Sequence, residues 1–598
     1  MGAFRVFIFK VFTALTFITL AGNSLFAQEK IFTQNPTQPK ALDFIGISAI
    51  KNLDPNLNGS SVNIAVICRS STYQDGQPQN DYRPDFTHNC LKDARFIFYD
   101  LKTPPADISA HSTEICSILF GKDANAYSPA VGNFSYEGIV PQAGAKIYEF
   151  WRFLMENVFP QKPPDCDIIT ASFGSGCEQW WTRGLDSMAQ KYGVTIVAGI
   201  GNGSKAYDPP LYPAAGSNVI AVGVVDSVNT SDPALNLSQF SLSLPEHSSF
   251  GPTADGRCKP DIVAPANSLA PAGNESNLYQ PTGNFSSFAA PVVSGTVALL
   301  MQKAKAEPNL SAALSPQGGN CVIKAVLLNS ATKLPFWHKG RLEKDDDHLV
   351  PLDFLQGAGM VNAPAAFRQL TAGKQAPGNV SPSGWDLNIL DSDNIINAYQ
   401  LKITDPNGKF ITATAVWNRH YSDKYPFEPL PEKDVNIKLE VWATIKNAPD
   451  RDFLLDYSDS PVDNVEHIRC RLDPNYTDYE IVVSCSSDNV SNLEPSPYAL
   501  AWLVDEGQNH DSIFWYDLNA DGVVDNLDTL ALFDRWAQTI KTPNYYFIGD
   551  INSDGVFDEK DIEILNSRIG READRLKDNP APFSTDKELK QSPSASIP

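Results

Sequence analysis

Residues 285–295 read FSSFAAPVVSG and continue as TVALLMQKA, and the prediction of the fold starts from this stretch. Small residues followed by Val, Leu and Met at helical spacing predict a buried helix with Ser287 near its start. The serine hydroxyl would lie near unpaired backbone N–H groups and the positive end of the helix dipole, which suits a nucleophile beside an oxyanion. A lone serine there is more often an N-cap, so a functional interpretation needs partners elsewhere in the chain.

Short apolar runs upstream predict the strands of a parallel sheet. They are VNIAVIC at 62–68, ITASFGS at 169–175, VTIVAGIGNG at 194–203 and VIAVGVV at 219–225, and a helix starts within ISAHSTEICSILFG at 108–121. Strands that alternate with helices indicate an α/β fold with both faces of the sheet covered. Sites in such sheets lie beyond the carboxyl ends of the strands, where His111 and Asn202 would join Ser287.

These three side chains predict acyl-transfer chemistry. Ser287 would attack a carbonyl, His111 would accept its proton and later donate it to the leaving group, and Asn202 would donate its amide to the tetrahedral oxyanion. Taken singly, His111 is more often a capping or structural residue, and Asn202 is more often a turn residue before glycine. Their combination favours the catalytic arrangement.

The ordered series of segments from about residue 60 to 367 resembles the subtilisin-like serine proteases. The likeness is carried by VNIAVIC, HSTEICSILFG, DIITASFGSG, VAGIGNG, YPAAGSNVIAVGVVD, SSFGPTADGRCKPDIVAPA, FSSFAAPVVSG and QGAGMVNAPAA. The resemblance implies a subtilisin-like parallel sheet and hydrolysis of peptide bonds in a protein or peptide substrate. It also implies that Ser287 is the nucleophile, His111 the general base and Asn202 the oxyanion donor.

The chain departs from the family at the position of the third triad member. Where these proteases have aspartate followed by Thr-Gly, it has Cys68-Arg-Ser. A neutral thiol is a poor acceptor, and loss of the carboxylate costs about four powers of ten in turnover. Partial replacement by a Cys68 thiolate, or by Glu114 or Asp107 near His111, stays open. Other departures are Ser112 for glycine, Glu114 for a second histidine and Ser286 for threonine.

The N-terminus predicts export. Residues 1–27 have a basic start, a short apolar run and a small residue before the expected cleavage point, which is typical of a signal peptide; an uncleaved anchor is the alternative. We expect no transmembrane segment after its removal, and a secreted, periplasmic or cell-surface location. The formal net charge of −23 argues against nucleic acid and anionic membranes as partners. An N-terminal extension at 28–55 and a peptidase domain at 56–372 would follow.

The nine cysteines permit disulfides in an exported protein, although an odd count leaves at least one unpaired or joined to another chain. Cys470 and Cys485 lie in two successive strand-like runs and are the pair expected first. Spacing does not decide the others.

Residues 373–508 hold short runs rich in β-branched and aromatic residues, such as KFITATAVWN and YEIVVSCS, separated by Pro, Gly, Asn and Asp. This pattern predicts a β-sandwich. It resembles the jelly-roll domain that follows the catalytic domain in some secreted subtilases. A substrate-docking or carbohydrate-binding module is one interpretation, and a domain that stabilises the peptidase is the favoured one.

Residues 511–570 contain an internal repeat, DLNADGVVDNLD at 517–528 and DINSDGVFDEKD at 550–561. Oxygen-bearing residues at positions one, three, five and twelve, with glycine sixth, form the pattern of a calcium loop, and the main-chain carbonyl at position seven adds a ligand. Two calcium ions are therefore predicted. The first set is Asp517, Asn519, Asp521, Val523 and Asp528; the second is Asp550, Asn552, Asp554, Val556 and Asp561.

Aspartate at the twelfth position and a single helix after each loop resemble a small helical, EF-hand-like type I dockerin, which implies a cohesin-like partner. The polar tail at 571–598 is expected to be disordered. Three functions follow from the sequence: an impaired secreted serine endopeptidase, a pseudoprotease that binds peptides without cutting them, and an assembly component recruited through the dockerin-like repeat.

Overall fold

The computed structural model describes residues 36–70, 73–74, 77–78, 81–101, 107–204, 208–272, 278–341, 346–445, 448–486, 494–506, 516–519, 521–539 and 558–572. The chain divides into two compact units, Met1–Thr37 and Gln38–Pro598. The predicted signal peptide and the predicted disordered tail beyond residue 572 lie outside the described residues. Everything below belongs to the second unit, except Thr37, the first residue of the short strand Thr37–Gln38.

A seven-stranded parallel sheet forms the centre of the peptidase region. Its strands in chain order are β1 (Asn63–Cys68), β2 (Arg95–Tyr99), β3 (Gly144–Glu149), β4 (Ile168–Ala171), β5 (Thr195–Gly199), β6 (Ile220–Val225) and β7 (Ile262–Pro265). They lie in the order β7-β6-β5-β4-β1-β3-β2, and every neighbouring pair is parallel. All residues of β4 to β7 are buried, as expected where helices cover both faces.

Helices pack on both faces of this sheet, which confirms the predicted fold class. The main ones are α1 (Ala110–Phe120), α2 (Gln179–Tyr192), α3 (Ser286–Ala306), α4 (Gly319–Asn329) and α5 (Ala363–Thr371). Successive residues of β1 face opposite sides of the sheet. Val66 packs in the core that contains α1, α3 and α4, whereas Ile67 packs in a second core with α2.

Shorter elements complete the peptidase region. The helices are Lys40–Phe44, Ile47–Leu53, Phe150–Phe153, Leu154–Val158 (π), Pro233–Asn236 and Pro308–Leu314 (3-10), and the strands are Thr37–Gln38, Tyr73–Gln74, Gln77–Pro78, Lys122–Ser128, Gly132–Glu137, Leu269–Pro271 and Tyr279–Pro281. Phe44 and Ile50 are buried in the main core, so the described part of the N-terminal extension packs as part of this region. Within the described residues, no helix is both long and apolar enough to cross a bilayer.

A two-sheet sandwich follows. Its strands are β8 (Gly378–Val380), β9 (Ser383–Leu390), β10 (Ile396–Lys402), β11 (Phe410–Trp417), β12 (Ile437–Thr444), β13 (Phe453–Ser458), β14 (Val465–Arg471), β15 (Asp478–Cys485) and β16 (Ser496–Asp505), with 3-10 turns at Pro431–Lys433 and Pro449–Arg451. One sheet has the order β8-β10-β15-β12-β13 and the other β9-β16-β11-β14. A single apolar core fills the space between the sheets.

The predicted disulfide between Cys470 and Cys485 is wrong. Cys470 lies on β14 and Cys485 on β15, and these consecutive strands belong to different sheets of the sandwich. All nine cysteines fall among the described residues, and all nine are free thiols. Both side chains pack against the core between the sheets but are not joined, so their order along the sequence was a poor guide to pairing.

The sandwich contacts the peptidase region through α4 and through a segment at 418–430. Phe427 from this segment is fully buried in the core that contains α2, and it lies so close to Gly184 that an added Cβ there would be 2.8 Å from its ring. Polar contacts flank it: Ser217 and Tyr421 share a hydrogen bond of 2.8 Å. These contacts favour a stabilising role for the sandwich.

Two further helices, α6 (Asn526–Thr539) and α7 (Glu559–Asn566), belong to the C-terminal repeat. Each follows one of the two predicted calcium loops. A small core of Tyr516, Leu518, Val524, Leu532 and Leu565 joins them. So small a core gives little stability by itself.

The first prediction concerns Phe427. We expect Phe427→Ala to lower the free energy of unfolding by about 3–5 kcal/mol, because a buried aromatic ring is removed and a cavity remains beside α2. Urea unfolding followed by tryptophan fluorescence measures the change. Tyr425→Ala is the matched control, since Tyr425 lies on the same segment but is 59% exposed. Equal effects of the two substitutions would contradict the stabilising role of this segment.

Candidate active site and calcium loops

Ser287 is the second residue of α3, and its hydroxyl does not cap the helix. The N-cap position is Phe285, and the Ser287 hydroxyl donates to the carbonyl of Ser172, 2.9 Å away, just after β4. The N–H of Ser287 lies in the first turn of a 21-residue helix, where backbone donors have no intrahelical acceptor. The N-cap interpretation of this serine is therefore wrong, and its N–H and hydroxyl both lie at the carboxyl edge of the sheet.

Asn202 lies at the same edge, three residues after β5, and Ser286 fixes its orientation. The backbone N–H and the hydroxyl of Ser286 both donate to Asn202 Oδ1, each over 3.0 Å. A backbone N–H can only donate, so the amide oxygen must face Ser286 and the amide nitrogen must face away. The Ser286 hydroxyl also accepts from the N–H of Gly201 at 3.1 Å. Ser286 therefore joins the end of β5 to the start of α3, and the exposed Asn202 keeps two amide protons available for a ligand.

His111 is the second residue of α1, whose N-cap is Ser109. The Ser109 hydroxyl accepts the N–H of Ser112, so His111 is not the cap. The imidazole ring lies 5.9 Å from the Phe288 ring, centroid to centroid, which places it beside the start of α3. Burial lowers the pKa of His111. Among the described residues no hydrogen bond or ion pair reaches the imidazole, so nothing in them supports its protonated form.

Cys68 is the last residue of β1, and its side chain is buried. Its thiol donates to the carbonyl of Val66 at 3.9 Å. The side chain of Ser112, in the first turn of α1 next to His111, acts on the thiol only by lowering its pKa. Burial raises the pKa of the Cys68 thiol to about 12, and the charge of Glu149 on the neighbouring strand raises it further. The thiol is therefore neutral at physiological pH, which argues against a thiolate in place of the family carboxylate.

The two alternative carboxylates do not reach the imidazole either. Burial raises the pKa of Glu114 to about 7, and none of the described residues pairs with its side chain. Asp107 is exposed and accepts the N–H of Ile108 at 2.8 Å. Neither forms a hydrogen bond or ion pair with His111. The sequence pattern named the residue at the end of β1 but missed that its thiol is buried and donates to the Val66 carbonyl.

The segment 169–175, predicted as a strand of the sheet, is only partly available for pairing with an extended peptide. Its strand, β4, is paired with β5 on one side and β1 on the other. Beyond the sheet, Ser175 exchanges two backbone hydrogen bonds with Tyr212. Strand addition along β4 itself is therefore excluded, and backbone pairing with a peptide is confined to residues 172–174.

The first predicted calcium loop is described and compact. Asp517 and Asp528 are fully buried, and Gly522 has φ +91°, the left-handed turn that glycine permits. Its N–H donates to Asp517 Oδ2 at 3.2 Å. Burial raises the pKa of Asp528, and the charge of Asp517 raises it further. Asp517 and Asp528 are two buried carboxylates, and with the oxygens of Asn519, Asp521 and Val523 they would form an all-oxygen set suited to a hard cation such as calcium.

The second loop is described only at its end. Asp550, Asn552, Asp554 and Val556 lie outside the described residues, whereas Asp561 is fully buried at the start of α7. Its Oδ2 accepts the N–H of Asp558 at 2.8 Å, and Asp528 in the first loop accepts the N–H of Asp525 at 2.7 Å. The two twelfth-position aspartates thus make the same local contact. Within the described residues, no cluster of three or more His, Cys, Asp or Glu side chains is placed to hold a metal.

Comparison with protein families identifies two domains. A model of the Subtilase family matches residues 84–359, and a model of the Dockerin type I domain matches residues 515–570. His111, Asn202 and Ser287 fall within the first match. Cys68 precedes it, so its assignment to the aspartate position depends on the sequence pattern and on its place at the end of β1.

Two curated proteins of Bacillus subtilis (strain 168) are similar to the chain. Serine protease AprX is 25% identical over an alignment of 297 residues, and the match covers 44% of this chain and 58% of that protein. The major intracellular serine protease is 26% identical over 207 residues, 33% of this chain and 56% of that protein. The chain thus spans a little over half the length of these relatives.

Solved structures with similar folds include two from patellamide maturation. The self-cleaved protease domain of PatA is 22% identical, with 52% of this chain and 98% of that chain covered and a TM-score of 0.33. Patellamide maturation protease PatG is 18% identical, with 56% and 98% covered and a TM-score of 0.36. A serine protease of Aeromonas sobria is 14% identical, with 75% and 89% covered and a TM-score of 0.34. No function is transferred from them.

The second prediction concerns the first calcium loop. We expect Asp517→Asn to weaken calcium binding at one site by roughly ten-fold or more, because a buried ligand charge is lost while the acceptor for Gly522 is kept. Calorimetric titration of the full chain after treatment with a chelator measures this. Glu563→Gln, which removes an exposed charge from α7, is the control. Unchanged titrations of both variants would show that Asp517 does not bind calcium.

Proposed function

We propose that this chain, which matches the Subtilase family over residues 84–359 and the Dockerin type I domain over residues 515–570, is an exported endopeptidase whose hydrolysis is impaired at Cys68. Dockerin domains are typical of extracellular cell-surface complexes, which supports a secreted, periplasmic or cell-surface location. The substrate would be a protein or peptide bound in an extended form. Dockerin type I domains bind calcium, and two ions, one per loop, would complete this module.

In the proposed reaction, Ser287 attacks the peptide carbonyl and His111 accepts the hydroxyl proton. The hydroxyl must first turn from the Ser172 carbonyl to the imidazole, a rotation about one side-chain bond. The amide of Asn202 and the N–H of Ser287 then stabilise the oxyanion. His111 returns the proton to the leaving amine, and water hydrolyses the acyl-enzyme by the same route. Asn202, oriented by Ser286, is ready for its part without rearrangement.

One observation carries the proposed impairment. The side chain at the end of β1 is the neutral thiol of Cys68, and no described residue places an anion against His111. Attack by Ser287 creates an imidazolium, and burial already disfavours that charged form. Without a carboxylate the imidazolium is unsupported and its tautomer is not fixed. A loss of about four powers of ten in turnover relative to a complete triad follows.

A non-catalytic peptide-binding protein is the second candidate. It is favoured by the hydrogen bond of Ser287 to Ser172, because this contact engages the nucleophile away from the base. In either case the dockerin module would tether the chain to a cohesin-like partner, and an assembly component is the third interpretation. A fluorophosphonate label that reacts with activated serines separates the first two: slow labelling of Ser287 supports the impaired enzyme, and none supports the pseudoprotease.

The third prediction is a gain of function. We expect Cys68→Asp to raise the kcat/KM for peptide ester hydrolysis by roughly two to four powers of ten, because the new carboxylate fixes the His111 tautomer and stabilises the imidazolium. Cys68→Asn, which has the same shape without the charge, should give no comparable gain. High activity in the unchanged protein, with no gain from Cys68→Asp, would show that another group supports His111 and that the proposed impairment is wrong.

A further inference from the structure

We propose that His247 and Asp226 are a positioning pair that holds the loop carrying Asn202, so that its amide faces the cleft. This inference rests on the proposed role of Asn202 as the oxyanion donor. Asp226 directly follows β6, and His247 lies in the segment 244–249, termed the supporting segment below. Neither residue was singled out by the sequence motifs.

The loop 200–204 needs support from outside. Asn202 is flanked by Gly201 with φ +124° and Gly203 with φ +67°. Glycine permits these positive φ values and restricts the motion of the backbone little. On the side of α3, Ser286 holds Asn202 Oδ1 and the Gly201 N–H. These bonds fix the amide relative to α3, but they do not hold the chain beyond Asn202.

The supporting segment holds the other side of the loop. Ser249 donates its N–H to the Gly201 carbonyl at 3.2 Å, the N–H of Gly203 donates to the Ser249 hydroxyl at 3.4 Å, and the N–H of Ser204 donates to the Pro245 carbonyl at 3.0 Å. Three hydrogen bonds therefore cross from one segment to the other.

The two segments also touch at Gly203. A Cβ added to Gly203 would lie 2.7 Å from the N of Ser248 and 2.9 Å from the N of His247, closer than side chains normally approach. Glycine is therefore required by packing as well as by φ. Because the backbones are in direct contact, a displacement of the supporting segment at His247 is passed to the loop that carries Asn202.

Asp226 anchors the supporting segment to the sheet. His247 Nδ1 lies 3.0 Å from Asp226 Oδ1, and the Asp226 side chain is 2% exposed whereas that of His247 is 44% exposed. Among the described residues this is the only ion pair of residues 244–249, and it is charged on both sides only when the imidazole is protonated. Neither the Asp226 carboxylate oxygens nor His247 Nδ1 has another hydrogen-bond partner among the described residues. Burial raises the pKa of Asp226 to about 7, the charge of His247 opposes the shift and that of Glu246 adds to it. Asp208 faces the same segment and accepts the Ser249 hydroxyl at 2.9 Å.

The end of β6 also supports the nucleophile helix. The N–H and hydroxyl of Ser227, next to Asp226, donate to Asn284 Oδ1 at 3.1 and 3.2 Å, two residues before α3 begins its first turn. The end of β6 thus contacts the supporting segment through Asp226 and the residues that lead into α3 through Ser227.

The kinetic test uses the Cys68→Asp protein and a peptide ester. We expect His247→Ala to lower kcat about five- to twenty-fold with little change in KM, a fraction of the roughly 10²- to 10³-fold loss expected for Asn202→Ala. In the Asn202→Ala background, His247→Ala should have no further effect, because it acts through Asn202. His247→Gln, which keeps a donor, should recover part of kcat. Equal, additive losses in both backgrounds would overturn the inference.

Amide hydrogen exchange of the otherwise unchanged full chain gives a readout independent of activity. His247→Ala should accelerate exchange in residues 201–204 at least about three-fold, since local opening becomes easier. His420→Ala is the matched control, because His420 Nδ1 is 3.1 Å from Asp434 in the sandwich and should leave this loop unchanged. Unchanged exchange in His247→Ala would overturn the inference. If Cys68→Asp shows no turnover, the proposed function fails while exchange still decides the positioning role.

Discussion

A half-buried imidazole without an anion beside it is the constraint on which the rest of the proposed site depends. His111 lies at the start of α1, next to Ser112, and the thiol of Cys68 donates to the Val66 carbonyl. Desolvation disfavours the imidazolium, and a family carboxylate would have offset that cost. A thiol held neutral by burial gives no such compensation. Ser109 nevertheless caps the first turn of α1, and the His111 ring lies beside the start of α3.

Asn202, the proposed oxyanion donor, is by contrast held in place by several hydrogen bonds. Ser286 makes two hydrogen bonds to Asn202 Oδ1 and one from Gly201, so the amide donor is aligned before any substrate arrives. The supporting segment, which contacts Asp226 through His247, makes three hydrogen bonds with the same loop. Preorganised donors of this kind retain a rate enhancement of about 10³- to 10⁴-fold over water even when the triad is incomplete. The two halves together explain why slow hydrolysis and peptide binding without cleavage are the competing functions.

Much of this arrangement could be predicted from the sequence because parallel strands of buried residues have a simple pattern. The positions of Ser287, His111 and Asn202 at strand ends and helix starts follow from that pattern and from the family resemblance. The contacts around these residues could not be predicted. Ser112 lies near Cys68, and His247 near Asp226, only as a result of tertiary packing. The sequence had marked Ser286 only as a serine at the position of a threonine. The structure shows that it donates two hydrogen bonds to Asn202 Oδ1.

The disulfide prediction failed because cysteine pairing also depends on tertiary packing. Cys470 and Cys485 are close in sequence and pack against the same core, yet both are free thiols. The calcium loops show the converse. The predicted ligands are local in sequence, so spacing could locate the turn at Gly522, and the structure adds that Asp517 and Asp528 are buried. Most of the second loop falls outside the described residues.

The pKa of His111 tests the central claim most directly. It can be followed by NMR through the imidazole signals of the Ser287→Ala protein, with the His111 resonance assigned by its loss in His111→Gln. The account predicts a pKa below the ordinary value of about 6.5 in the unchanged Cys68 protein, and a rise of about one to three units in Cys68→Asp. A pKa already above the ordinary value with Cys68 in place, and unmoved by Cys68→Asp, would contradict it.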